Sequence, residues 1–151
     1  MVIRPYQPAD CQALAQLFYQ TVHSTVFYTE AQQKAWAPQI PQNWNEGFLA
    51  HHTVVAELDG QIIGFADMDQ SGYLDRLYVY PAHQRKGVAT ALCDRLEKES
   101  TADAFLTHAS LDARPFFEAR GYRVIKAQQV ERCGILLTNF VMTKERRQNP
   151  C

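Results

Sequence analysis

A chain of 151 residues with 46% apolar and 21% charged side chains has the make-up of a single globular domain with a sizeable core. Its formal net charge of -1 offers no bulk attraction for nucleic acid or an anionic membrane. No apolar run approaches the ~18 residues of a membrane span. The opening MVIRPYQPADC lacks the apolar core of a signal peptide, so a cytoplasmic location is expected.

Val2 to Pro5 reads as a short strand. Pro8-Ala9-Asp10 then opens a helix on which Cys11, Leu14, Leu17, Phe18 and Val22 fall near helical spacing. Thr29-Glu30 starts a second helix that runs to Trp36 and stops before Pro38. Beyond the turn-rich APQIPQNW, Asn43 to Ala50 forms another short helix with Trp44 and Phe48 on one side. The character then changes: TVVAELDGQIIGFADM has two β-branched runs joined by Asp59-Gly60, a strong hairpin signal. SGYLDRLYVY follows as a third antiparallel strand. Its alternating Leu74, Leu77 and Val79 suit a central position, which makes Asp75 conspicuous.

Pro81 breaks the pattern, and a helix runs from about Gly87 to Glu99 with Val88, Ala91, Leu92 and Leu96 on one face. AFLTHAS is a strand. DARPFFEAR is a short helix, with Asp112 as its N-cap, Pro115 in its first turn and Gly121 as its stop. GYRVIKAQQV and GILLTNFVMT are closing strands, and KERRQNPC reads as a frayed tail, the domain ending near residue 145. The order predicts a mixed α+β domain, a meander followed by crossovers. Cys11, Cys93, Cys133 and Cys151 form neither a CxxC nor a Cys/His pair at zinc spacing. Cys11 and Cys93 fall on apolar stripes as buried reduced thiols, and no metal site is expected.

The most informative stretch is PAHQRKGVATAL, residues 81–92. A helix N-terminus exposes unpaired backbone N–H groups and the positive end of the helix dipole, so an anion is held there by main chain. Gly87 removes a β-carbon where a phosphate would approach, Ala89 keeps the next inward position small, and Gln84, Arg85 and Lys86 add donors. The plainer alternative is a solvated cationic loop. Neither GxxxxGK[ST] nor GxGxxG is present, which removes the main support for nucleotide-hydrolase and Rossmann readings.

The run from Val79 to Ala89, with Gln84-Arg85-Lys86-Gly87-Val88-Ala89 at its heart, resembles the acetyl-coenzyme A loop of GNAT (GCN5-related) N-acetyltransferases, whose signature is Q/R-x-x-G-x-G/A. The downstream ASLDARPFFEARGY resembles the family's motif B, closing on Gly121-Tyr122, and the element order fits the family fold over residues 2 to 143. TVHSTVFYTEAQQKAWAP and VERCGILLTNFVM resemble a bacterial, YafP-like group within it. The resemblance implies a central, mostly antiparallel sheet of roughly six or seven strands, with a parallel splayed pair and about four flanking helices.

It further implies that Leu77, Tyr78 and Val79 line the thioester of acetyl-coenzyme A, a main-chain N–H polarising the acetyl carbonyl. By the same carry-over Gln84, Arg85, Lys86, Gly87, Val88, Ala89 and Thr90 hold the diphosphate, and Ser110, Asp112, Pro115 and Phe116 flank the pantetheine arm. The implied reaction is direct attack of an amine on the thioester. An alkylammonium of pKa about 10 must lose a proton first, whereas a thiol of pKa roughly 8.5 leaves more readily, so a base matters more than an acid. Asp75 is the first candidate for that base, against the alternatives of an ion pair with Arg76, Arg4 or Arg123, or plain exposure. His108, where the second strand should open, is the other candidate. One departure stands out: many members carry a tyrosine as general acid at the position of Phe117, which has no proton to give. Tyr78 or Tyr80 could substitute.

Acceptor specificity in this fold comes from the first helices and the last hairpin, here supplying His23, Phe27, Tyr28, Trp36, Trp44, Phe65 and Asn139. The two tryptophans serve either as an aromatic wall or as pins between helices and sheet. A polyamine pocket would need more carboxylates than Asp67, Asp69 and Asp75. A small amine, an aromatic amine or hydroxylamine, and a peptide N-terminus all stay open. Rival readings are a non-catalytic acyl-coenzyme A binder, favoured by Phe117, and a nucleic-acid module using Gln84-Arg85-Lys86 and Arg146-Arg147, opposed by net charge and the lack of a basic stripe. Partners are therefore an amine acceptor with neither nucleic acid nor membrane, the chain acting as monomer or homodimer, its long apolar last strand offering an edge for pairing.

Overall fold

A computed structural model of the chain describes residues 1–146. Seven strands, β1 (Val2–Pro5), β2 (His52–Leu58), β3 (Gln61–Met68), β4 (Tyr73–Val79), β5 (Ala104–Ala109), β6 (Arg123–Arg132) and β7 (Ile135–Glu145), form one sheet in the order β1-β2-β3-β4-β5-β7-β6. Among the described residues only β4 and β5 run parallel. The meander β2–β3–β4 follows from its turns: Asp59 and Gly60 both take positive φ, 52° and 79°, the geometry that matches hairpin twist.

Five helices cover the two faces. Helices α1 (Cys11–Val22), α2 (Glu30–Trp36) and α3 (Asn45–Ala50) lie on one side, where Leu14, Leu17, Phe18 and Phe48 pack on Val55 and Phe65. Helices α4 (Val88–Glu99) and α5 (Arg114–Ala119) lie on the other, where Leu92, Leu96 and Phe117 meet Val54, Ala56, Leu74 and Met142. This splitting follows the period of two along β2, where Val54 and Ala56 face one layer and Val55 the other. Helix α2 begins with a capping box in which Thr29 accepts from the Gln32 N–H and Gln32 accepts from the Thr29 N–H. Among the described residues no helix is long and apolar enough to cross a membrane.

Two expectations are corrected. Asp112 does not cap α5; Ser110 turns the chain there, its Oγ accepting from the Ala113 N–H at 3.2 Å, while Asp112 accepts from Thr25 Oγ1. Nor does the chain fray from Lys144. Lys144 Nζ lies 2.6 Å from Glu97 Oε1, and Arg146 donates to the Ala102 and Ser100 carbonyls, tying the end of β7 to α4. The rest of the expected tail, 147–151, lies outside the described residues.

Candidate functional site

The central feature is the divergence of β4 from β5. The two pair only at Tyr73–Leu106 and Leu74–Thr107, then separate. On its other edge β4 stays bonded to β3, with Arg76 opposite Asp67 and Leu74 opposite Met68, so that Asp75 is the extra residue of a β-bulge. The bulge explains the exposed aspartate in a central strand: it re-aims the side chain, which stays 39% exposed.

Beyond the bulge, alternation decides which backbone groups are free. Tyr80 N–H donates to Ile63 O, so Tyr80 and Tyr78 bond toward β3. Leu77 and Val79 therefore turn their N–H and C=O groups toward the gap that β5 has left. Gln84 Nε2 fills part of it, donating to Val79 O at 2.9 Å.

Two cavities occupy the region. One, of about 480 Å³, is the loop cavity: Leu77, Val79, Gln84, Arg85, Gly87 and Ala89 form one wall, and Ser110, Asp112 and Phe116 the other. The second, of about 530 Å³, is the aromatic cavity, lined by Phe18, Tyr28, Trp44, Tyr73, Asp75 and His108 and by Gln128, Arg132 and Asn139 of the last two strands. Trp36, Tyr78 and Ser110 line both, so the cavities meet across the splay.

At the loop cavity the first intrahelical bond of α4 runs from Ala91 N–H to Gly87 O. The N–H groups of Val88, Ala89 and Thr90 precede it and have no intrahelical partner. Gly87 adopts φ +85, and a β-carbon there would meet nothing within 4 Å. Glycine is thus required by the backbone turn and leaves the approach open. Arg85 is also left-handed, at φ 62. The rim on the α1 side carries Val26, 89% exposed, and Phe27, 58% exposed, and Thr21 Oγ1 lies buried in this wall without a partner. An elongated ligand with an anionic end and an apolar arm fits these features: donors at one end, exposed apolar side chains beside the other.

At the aromatic cavity, burial pushes the Asp75 carboxyl above the ordinary aspartate range; Asp67 repels its charge in the same sense, and Arg76 opposes it. Arg76 itself is held by Asp67, which is fully buried, through Nη2–Oδ2 at 2.5 Å and Nε–Oδ1 at 3.0 Å. His51 Nδ1 lies 2.8 Å from the same carboxylate. His51, Asp67 and Asp75 group their ligand atoms within 4.8 Å of one another, and the Arg76 guanidinium is paired with Asp67 in their midst. Burial also raises the Tyr78 hydroxyl well above its ordinary range, with the facing indole of Trp36 pulling the other way. The phenol is therefore protonated at neutral pH, where the two cavities meet.

Most of the residues expected from sequence converge here: Asp75, His108, Tyr28, Trp36 and Asn139 on one cavity, and Leu77, Tyr78, Val79, Gln84, Arg85, Gly87, Val88, Ala89, Thr90, Ser110, Asp112 and Phe116 on the other. Several line neither. His23 is turned away, its Nε2 2.7 Å from Ala37 O and its ring against Tyr19. Lys86 and Pro115 are exposed outside the walls, and Phe117 is 2% exposed, packed on Phe116 and Tyr122. Phe65 is fully buried beneath Trp44 and Tyr78. Gln128, Val130 and Arg132 went unnoticed in the sequence, although their i, i+2, i+4 spacing on a strand opposite Asn139 and Leu137 is a legible signal.

Comparison with known proteins agrees with this geometry. The profile of the acetyltransferase (GNAT) domain matches residues 14–144. The chain is 39% identical over 145 residues to the uncharacterized N-acetyltransferase YafP of Escherichia coli strain K12, with 93% of each chain covered. It superposes on a GCN5-related N-acetyltransferase from Rhodopseudomonas palustris with a TM-score of 0.87 and 33% identity, over 96% of this chain and 95% of the other. A GNAT-superfamily acetyltransferase from Sinorhizobium meliloti, solved in complex with acetyl-coenzyme A, shares the fold at TM-score 0.72 and 17% identity, over 95% of this chain and 87% of its own.

Proposed function

The chain belongs to the GNAT acetyltransferase family, and from that premise we propose that it moves an acetyl group from acetyl-coenzyme A to a primary amine by direct attack in a ternary complex. The observation that carries the reading is the pair of cavities meeting at Trp36, Tyr78 and Ser110 across the β4/β5 splay. One cavity has anion donors and strand-edge backbone for the cofactor. The other has a carboxylate and aromatic walls for an amine.

Acetyl-coenzyme A supplies an activated acyl carbon and a thiolate leaving group. The N–H groups of Val88, Ala89 and Thr90, with Arg85 and the remaining Gln84 amide N–H, would hold its diphosphate, and the free N–H and C=O of Leu77 with the N–H of Val79 would take up the pantetheine amides. A main-chain N–H of this edge would donate to the acetyl oxygen as negative charge grows on it. Asp75 removes a proton from the incoming ammonium, directly or through water, and its raised proton affinity improves the match to that task. The nitrogen lone pair forms the new C–N bond while the C–S bond breaks. The second amine proton passes to solvent, and the thiolate is met by the Tyr78 hydroxyl, which takes the donor role that Phe117 cannot fill. Tyr80 lines neither cavity and is not used.

Phe117 favours a second reading, in which the chain binds acyl-coenzyme A without turnover. Release of free coenzyme A thiol, followed with a thiol reagent across a panel of primary amines, separates the two. Amine-dependent release that disappears with dialkylated amines supports transfer. Tight cofactor binding with no release from any amine supports the binder.

A further inference from the structure

Within the acceptor reading just given, the aromatic cavity has an uneven charge pattern. Asp75 is its one lining carboxylate. Arg76 is neutralised by buried Asp67, so it adds little net charge. Arg132, at the end of β6 on the opposite wall, has no carboxylate partner among the described residues; its one hydrogen bond, from Nη1, goes to the neighbouring Glu131 carbonyl at 3.3 Å. Its neighbours on that face, Gln128 and Asn139, are neutral amides. A cavity with one carboxylate at one end and one unpaired guanidinium at the other repels a second ammonium at the far end and attracts an anion there.

The geometry points to an acceptor that carries, besides its primary amine, an anionic group: the amine at Asp75, the anion at Arg132, and an apolar or aromatic body between them against Trp36 and Trp44. Three strand spacings separate β4 from β6, and the register carries the level of Asp75 across His108 and Val141 to Lys126, six residues short of Arg132 on β6, so the two backbones lie roughly 20 Å or more apart. The reach of both side chains shortens the gap, which suits an amine and anion held apart by a ring or short chain better than an α-amino acid, whose charges are adjacent. Polyamines are disfavoured by the same pattern.

The chain's two tryptophans both line this cavity, so their fluorescence reports occupancy without any turnover. With coenzyme A at saturation, 4-(aminomethyl)benzoate, its methyl ester and benzylamine are titrated into the wild type and Arg132→Gln. The expected result is a preference of about fivefold or more for the acid over the ester in the wild type, falling to within about twofold in the variant, with ester affinity unchanged. Equal or tighter binding of the ester, an acid preference that survives Arg132→Gln, or no binding of the acid at millimolar concentration overturns the inference. Failure of the acetyltransferase reading itself shows separately, as absence of thiol release with every amine.

Discussion

Removing the Arg76 guanidinium tests whether the floor of the aromatic cavity is held by a buried ion pair. Arg76→Met keeps most of the stem volume. It leaves the fully buried Asp67 carboxylate with His51 Nδ1, 2.8 Å away, as its remaining side-chain partner. Breaking a buried pair by deleting one partner costs about 3–5 kcal/mol, because the other charge stays desolvated. The guanidinium also lies 4.8 Å from the Trp44 ring centre and 4.4 Å from that of Phe48, contacts worth about 0.5–1 kcal/mol each. His51 and the retained methionine stem offset part of this, so the expected loss is about 3 kcal/mol, or a fall in Tm of roughly 6–12 °C for a chain of this size. Urea titration followed by circular dichroism gives the free energy, and the double variant Asp67→Leu/Arg76→Met should recover most of it by replacing the pair with apolar volume. A loss under about 1 kcal/mol for Arg76→Met, or a double variant no more stable than the single one, refutes the argument.

Other consequences are read at the same bench. Asp75→Asn should lower kcat/KM by about 10²-fold or more. It should also remove the acid limb of the pH–rate profile, which in the wild type lies above the ordinary aspartate range because burial raises that carboxyl. Tyr78→Phe should lower kcat about tenfold, the value of one hydrogen bond to a developing thiolate, while leaving KM for the amine nearly unchanged. Burial pushes Glu97 up, but hydrogen bonds from Arg120 and Lys144 at 2.8 and 2.6 Å outweigh it and hold its carboxyl below the usual range. Its contribution to stability is therefore present above the unfolded-state pKa and lost as pH falls through the folded one. Glu97→Gln should cost about 2 kcal/mol at neutral pH and flatten the acid side of the stability curve, as thermal melts from pH 7 to 3 will show.

Local signals in the sequence carried much of this architecture. Asp59-Gly60 demanded a hairpin, Thr29-Glu30 a helix start, and Pro81 with Gly87 a sharp change from strand to an open helix N-terminus. Each depends on a few neighbouring residues, which is why they were legible. What depended on distant pairing was not. Asp75 stood out as a carboxylate in a strand, yet its position at a bulge, and the commitment of Arg76 to Asp67, emerge only once β3 and β4 are in register. Arg4, an imagined partner for Asp75, is taken by Asp10 and Glu57. His23 had a suitable ring in a suitable helix, but the chain return at Ala37 captured it. The alternation of Gln128, Val130 and Arg132 was legible as one strand face, but that this face lines the aromatic cavity emerges only from the β6–β7 register.

Isothermal titration of acetyl-coenzyme A into the wild type and Gly87→Glu tests directly whether the α4 N-terminus is the seat of the diphosphate. Residue 87 has φ +85 with open space where a side chain would project, so the variant costs about 1–2 kcal/mol in backbone strain and places a carboxylate among the phosphate donors. Micromolar binding by the wild type, reduced at least about 100-fold in a variant that still melts cooperatively, is the predicted result. A folded wild type that does not bind, or a variant that binds undiminished, contradicts it.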